Sequence, residues 1–179
     1  MARLGENEPF SLRAVAREAD IVPPSVYLHF ADKTALTLAV LGKLFTQPAA
    51  SRDEAEQVVA EAGGSAWDRL LARSLAYVRF GLERPGHYKV FYEGWAIPKL
   101  DTPRVAALGQ PMLDRTAELI LGVLQERQAK QVGDAQRLAL LLWAGLHGVV
   151  SLQINKPTMS WPEAGELTEP MTRAVVGMP

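Results

Sequence analysis

The spacing of apolar residues changes along the chain, and each change marks a new element. Leu12, Val15, Ala16 and Ala19 recur at i, i+3, i+4 and i+7, one face of a short helix whose other face carries Arg13, Arg17 and Glu18. Ser11 stands where an N-cap is needed. Asp20, Ile21 and Val22 then break the period for about three residues, and Asp20 tolerates left-handed backbone angles better than most residues. Pro23 and Pro24 supply the fixed φ of a helical first turn, which predicts a second helix over Pro24–Phe30. Val26 and Phe30, four apart, turn toward the first helix and leave Ser25, Tyr27, Leu28 and His29 on the outer side. The pattern is that of a helix-turn-helix, with the second helix as its recognition element.

Beyond it, Leu36, Ala39, Val40 and Leu44 keep helical spacing from Thr34 to about Phe45, and Pro48 predicts a break. Ser51–Ala62 reads as a polar helix ended by Gly63 and Gly64. Ser65 with Asp68 forms a capping box. It opens an amphipathic helix reaching Arg84, with Leu70, Leu71, Leu75, Val78 and Leu82 on its buried side. Pro85 and Gly86 predict another break, followed by an aromatic-rich turn over His87–Glu93. Gly94, Pro98, Pro103 and Pro111 predict loop and short helix at most over residues 94–111. Met112–Gln128 and Asp134–Asn155 are long helices with wide apolar faces, the second apolar nearly all round. Gly122, Ala144, Gly145 and Gly148 permit close helix approach, and a symmetric four-helix interface between two chains would bury both elements. Pro162–Gly177 is a weak final helix. No strand pattern or repeat interrupts this all-α reading, divided into an N-terminal unit (1–47) and a C-terminal helical bundle (48–179).

Composition narrows the classes. With 179 residues, 48% of them hydrophobic, the chain is long enough for one substantial core or two small ones. The absence of cysteine excludes a disulfide framework and thiolate-ligated metal and is compatible with the cytoplasm, where the chain is expected. Leu138–Val150, the most apolar run, is shorter than the roughly 20 residues that span a bilayer, so no membrane partner is expected. The three histidines are isolated and no HExxH, phosphate-binding glycine loop or G-x-S-x-G elbow appears, so neither metal, cofactor nor catalysis is expected. Arg3, Arg13, Arg17, Lys33 and Lys43 balance Glu6, Glu8, Glu18, Asp20 and Asp32 in the first 47 residues. That neutrality is unlike the basic footprint of most nucleic-acid modules and predicts modest, salt-dependent affinity.

Candidate chemistry lies on the second helix. Ser25, Tyr27 and His29 are short or rigid donors suited to phosphate oxygens, contacts that set register on a duplex. Base edges would meet Pro23, Pro24, Ser25 and Leu28, an apolar set that reads thymine methyls and DNA shape. Lys33 follows the N-cap candidate Asp32, at a helix start where the macrodipole disfavours a cation unless a phosphate is near. In Ser11, Val15, Ala16, Ala19, Ser25, Val26, Tyr27, His29, Phe30 and Lys33 the chain resembles the tetracycline-repressor (TetR) family of bacterial transcription regulators. The resemblance implies DNA contact by Ser11, Arg13, Ser25, Tyr27, His29 and Lys33. Asp20 replaces the family's usual glycine, which predicts a slightly strained turn. Only Met1–Pro9 precede the motif where the family has a full helix, so the first helix is expected to be largely missing.

Pro85–Gly94 (PGHYKVFYEG) and Leu141–Leu152 (LLWAGLHGVVSL) resemble the TetR subgroup with a Trp-His-Gly-type C-terminal domain. Trp143 and His147 share a helix face, and with Tyr88, Phe91, Tyr92 and Trp95 they form either the lining of a ligand pocket or a packed core in which His147 finds a hydrogen-bond partner. The expected molecule is a ligand-responsive repressor. It pairs as a homodimer through residues 112–128 and 134–155, and it binds a double-stranded palindromic operator and a small apolar or amphipathic effector. The alternative is a dimeric small-molecule-binding protein that has lost DNA binding.

Overall fold

Ser11 opens the first helix as its spacing requires, the hydroxyl accepting from Ala14 N at 3.1 Å. The computed structural model describes residues 11–92, 103–128 and 134–178, which form eight helices and no strand. The segment Met1–Pro9 lies outside the described residues. The helices are α1 (Leu12–Glu18), α2 (Pro23–His29), α3 (Lys33–Glu61), α4 (Ala66–Glu83), α5 (Pro85–Tyr92), α6 (Pro103–Glu126), α7 (Ala135–Asn155) and α8 (Ala164–Val175).

The turn between α1 and α2 is a helix C-cap put to use. Asp20 adopts φ 54°. Its N–H donates to Arg17 O at 3.3 Å and that of Ile21 to Ala16 O at 2.9 Å, the two reverse bonds of a Schellman motif. Leu12, Ala16, Val26 and Leu36 are buried together with Val15 and Phe30 against them, so α1, α2 and the start of α3 share a small core. Asp32 caps α3, its Oδ1 accepting from Ala35 N at 2.8 Å.

Three expectations fail at prolines. Pro48 does not break the chain: α3 runs through it for 29 residues, roughly 1.5 Å of rise for each. Pro48 lacks the donor for one backbone bond and crowds the preceding turn, yet Leu41 before it is buried and Glu56 after it is tied to Arg69, Arg73 and Arg115, which hold both halves in line. The boundary expected at 47 and 48 therefore falls inside a helix. Pro85 and Gly86 begin α5 instead of a turn, because proline suits a helical first position and the break is confined to Arg84. Pro111 lies inside α6, so 103–111 is helical and not loop; residues 94–102 lie outside the described ones. α3 ends as predicted, Gly63 taking φ 77° while Gly64 N donates to Val59 O at 2.9 Å.

α4 is the central element, packed against α3, α5, α6, α7 and α8. Its capping box is formed, and Glu126 of α6 accepts from Ala66 N at 3.0 Å, tying the start of α4 to the end of α6. At Gly81 the backbones of α4 and α7 come so close that a Cβ would sit 2.5 Å from Val150 Cγ1. α6 buries Ala117, Leu119, Ile120, Val123 and Leu124, and a Cβ on Gly122 would lie 2.9 Å from Ala66. Its wide apolar face thus packs within the chain. α7 buries Ala139, Leu142, Leu146, Val149 and Val150, leaving Leu140, Leu141, Ala144 and Leu152 exposed on the other side. Among the described residues α7 is long and apolar enough to cross a membrane, but here it is a helix of the bundle core.

Candidate functional site

The first site is the outer face of α1, α2 and the start of α3. Pro23, Pro24, Tyr27, Leu28 and His29 are exposed, Leu28 to 83%, while Ser25 is half-buried. Packing of Val26 and Phe30 inward forces this, since the intervening side chains must then point out. A cleft of about 560 Å³ between the starts of α1 and α3 gathers Ser11, Arg13, Tyr27, Asp32 and Lys33. Pro23, Pro24, Ser25, Leu28 and His29 lie along α2 outside that cleft. Backbone donors of a first helical turn, two cations and a phenol stand around one concavity, a set whose chemistry suits phosphate oxygens, and the bare apolar tip at Leu28 suits thymine methyls.

The aromatic residues come together as a packed cluster. Tyr88, only 2% exposed, stacks on His147 with centroids 5.4 Å apart. Its hydroxyl shares a hydrogen bond with His147 Nδ1 and donates to His147 O at 3.1 Å, consistent with a proton on Nδ1. Tyr92 lies 5.0 Å from His147 and 6.1 Å from Trp143. The spaces beside this cluster are small, about 30 Å³ next to Trp143 and about 10 Å³ next to Tyr88 and Tyr92. The Phe91 side chain and Trp95 lie outside the described residues.

The larger space is a cleft of about 740 Å³ between α3, α4 and α6. On its wall Glu56 accepts from Arg69 Nη2 at 2.6 Å, from Arg73 Nη1 at 2.8 Å and from Arg115. Arg73 Nη1 also bonds Asp53 Oδ1 at 2.5 Å. Burial would raise the Glu56 pKa, but the hydrogen bonds from Arg115 and Arg69 and the charge of Arg73 outweigh it and hold the carboxyl at about 2. The same bond to Glu56 raises the pKa of Arg115. Arg52 differs from these three. It is 5% exposed, its Cζ lies 5.9 Å from the Tyr77 ring centroid, and no described carboxylate pairs with it. Burial lowers its pKa.

Sequence reasoning missed this arginine cleft. Its only signal was the i, i+4 spacing of Arg52 with Glu56 and of Arg69 with Arg73, a pattern that ordinarily marks a solvated face.

Comparison with known proteins places both halves. Residues 8–40 match the family model of bacterial regulatory proteins, tetR family, and residues 70–175 match that of the tetracyclin repressor-like C-terminal domain. No curated protein matches the chain. Among solved structures, a protein with unknown function from Rhodococcus sp. RHA1 is 27% identical over 94% of this chain and 84% of its own, with a TM-score of 0.73. A TetR-family transcriptional regulator from Rhodococcus sp. is 20% identical over 93% of this chain and 88% of its own, with a TM-score of 0.75. A TetR family transcription regulator from Marinobacter aquaeolei VT8 is 22% identical over 93% and 84%, with a TM-score of 0.67.

Proposed function

Since the chain belongs to the tetR family of bacterial regulatory proteins, we infer that this DNA-binding regulator is a ligand-responsive repressor, cytoplasmic and non-enzymatic, acting as a homodimer on a palindromic operator. The observation that carries the reading is the cleft at Ser11, Arg13, Tyr27 and Lys33 beside the exposed face of α2. In the dimer, two α2 helices enter successive major grooves about 34–36 Å apart. Pro23, Pro24, Ser25 and Leu28 face base edges, and Ser11, Arg13, Tyr27, His29 and Lys33 hold phosphates. The uncovered Leu140, Leu141, Ala144 and Leu152 support a two-fold contact centred on α7, with the outward side of α6 beside it. The effector compartment is the α3–α4–α6 cleft, which shares Arg52 with the two small spaces beside Trp143 and beside Tyr88 and Tyr92. An effector that binds one conformation better than the other shifts the spacing of the two α2 helices and releases DNA.

A mobility-shift titration on DNA upstream of the protein's own coding sequence tests this. Lys33→Ala should weaken binding on all sequences alike and reduce the slope of log K against log salt by about one. An altered sequence preference with an unchanged slope would refute the phosphate role of Lys33. Absence of any specific shift in the wild type would favour a dimeric small-molecule-binding protein without DNA function.

A further inference from the structure

Arg52 stands where three spaces meet. It lines the large α3–α4–α6 cleft, the notch of about 30 Å³ next to Trp143, and the smaller void beside Tyr88 and Tyr92. The other three arginines of the cleft share Glu56, while Asp53 adds a second carboxylate to Arg73 and Glu118 one to Arg115, so three carboxylates face three guanidinium groups. The unneutralised charge of the wall is therefore concentrated on Arg52, nine-tenths buried and among the described residues without a carboxylate. Its Nε has no hydrogen-bond partner, and neither has Nε of Arg73 nor Nε1 of Trp143; all three residues line the notch.

Buried donors without acceptors are costly, and a buried guanidinium without an anion more so. A fold seldom keeps such a group unless something supplies the missing charge, and three unpartnered donors on residues that line one small space call for an acceptor with more than one oxygen. The wall of the cleft also carries the apolar side chains of Phe45, Leu108 and Met112, of which Met112 reaches the notch and Phe45 the smaller void. We propose that the cleft binds a small amphipathic carboxylate. Its acid group pairs with Arg52 and accepts from Trp143 Nε1 at the notch, and its hydrocarbon part lies on Phe45, Leu108 and Met112. This deepens the effector reading above and rests on it.

The test is calorimetric titration of the full chain with hexanoate, octanoate, decanoate and benzoate, each against its primary amide, with inorganic phosphate as a further probe. At least one carboxylate should bind about 10- to 100-fold more tightly than its amide, the range of a charge-assisted bond. Arg52→Met should abolish that preference without lowering the melting temperature of the unliganded protein, and Trp143→Phe should reduce it. The assignment is overturned if no carboxylate binds, if acid and amide bind alike, as they would were the notch satisfied by water, or if phosphate binds as tightly as the acids. Retention of the preference in Arg52→Met, or a sharp fall in its melting temperature, overturns it too. A mobility shift with each probe separates this inference from its premise. An amide that releases DNA while acids do not leaves the ligand-responsive reading standing and refutes the carboxylate. A carboxylate that binds through Arg52 yet leaves the DNA complex intact supports the site and refutes the effector role.

Discussion

The two ends of α3 are held by different physics. At its start, Leu36 joins Leu12, Ala16 and Val26 in a core of four buried residues drawn from a span of 25. At its other end, α3 lies on a bundle whose 17 buried apolar residues, among the described ones, come from α4 to α7 and from Val176 after α8, and Glu56 pairs with an arginine 59 positions away. Burial grows faster than surface with size, so the small unit is the less stable of the two and opens first. On the proposed function, that suits a reading head whose contacts a duplex would complete, set on a body that would stay folded while a ligand exchanges. One helix carries both Lys33 and Arg52, 19 residues and roughly 28 Å apart, so on the proposed function a tilt imposed at the cleft would reach the end that carries Lys33 within a single element.

The largest effect should come from Glu56. Glu56→Ala strands Arg69, Arg73 and Arg115 around an emptied site, and breaking a buried ion pair from one side costs about 3–5 kcal/mol. A urea melt should show the bundle's midpoint falling by that equivalent. A loss under 1 kcal/mol would mean that the cluster is solvated and the contrast between the two ends is false. Titration gives the same contrast without mutation. The Glu56 pKa is depressed from 4.5 to about 2 in the folded state, so its contribution is complete above pH 4.5 and lost as pH falls through 2. Glu56→Gln should flatten the wild-type loss of stability in that window.

Leu141→Glu addresses the exposed face of α7 and leaves the core untouched. A charge buried against its symmetry mate should weaken self-association by at least about 3 kcal/mol, more than a hundredfold, in sedimentation. The monomer's melting temperature should hardly change, because Leu141 is 54% exposed within the chain. Unchanged dimers would move the contact elsewhere. Gly122 and Leu124 cannot serve this test, since both face the chain's own α4 and core.

Legibility in the sequence follows the same division. The N-terminal unit could be read because its determinants are local: Ser11 caps its own helix, Asp20 turns it, and Val26 and Phe30 select the inner face four residues apart. The capping box at Ser65 and the Gly63 stop were local too, and the structure bears them out. Pro48 misled because its cost is local while the compensating burial of Leu41 and the ion pairs of Glu56 with α4 and α6 are not. The arginine cleft was illegible for the same reason. Nothing near Glu56 in sequence announces Arg115.

Leu36→Ala probes the small core directly. It should cost about 2–3 kcal/mol, at the low end for such truncations because a core of four residues can collapse around the gap. Hydrogen exchange should speed up across α1 and α2, and DNA affinity should fall, while the bundle's thermal transition stays in place. If the bundle melted earlier by the same amount, the two ends would be one cooperative unit.

The smallest expected effect lies at Asp20, and it asks whether the small unit is strained where the chain departs from glycine. At φ 54° a β-carbon crowds the following carbonyl, a penalty of about 1 kcal/mol that a short polar side chain partly relieves by local hydrogen bonding. Asp20→Ala removes that relief and keeps the β-carbon, so it should destabilise the unit by up to about 1 kcal/mol. Asp20→Gly removes the β-carbon but loosens the unfolded chain, so the two changes should nearly cancel. Exchange of the Ile21 amide, which donates to Ala16 O, reports on this turn alone. It should be faster in Asp20→Ala and near wild type in Asp20→Gly. Equal exchange in all three proteins would mean that the packing of Leu12, Ala16 and Val26, and not the cap, fixes the angle between α1 and α2.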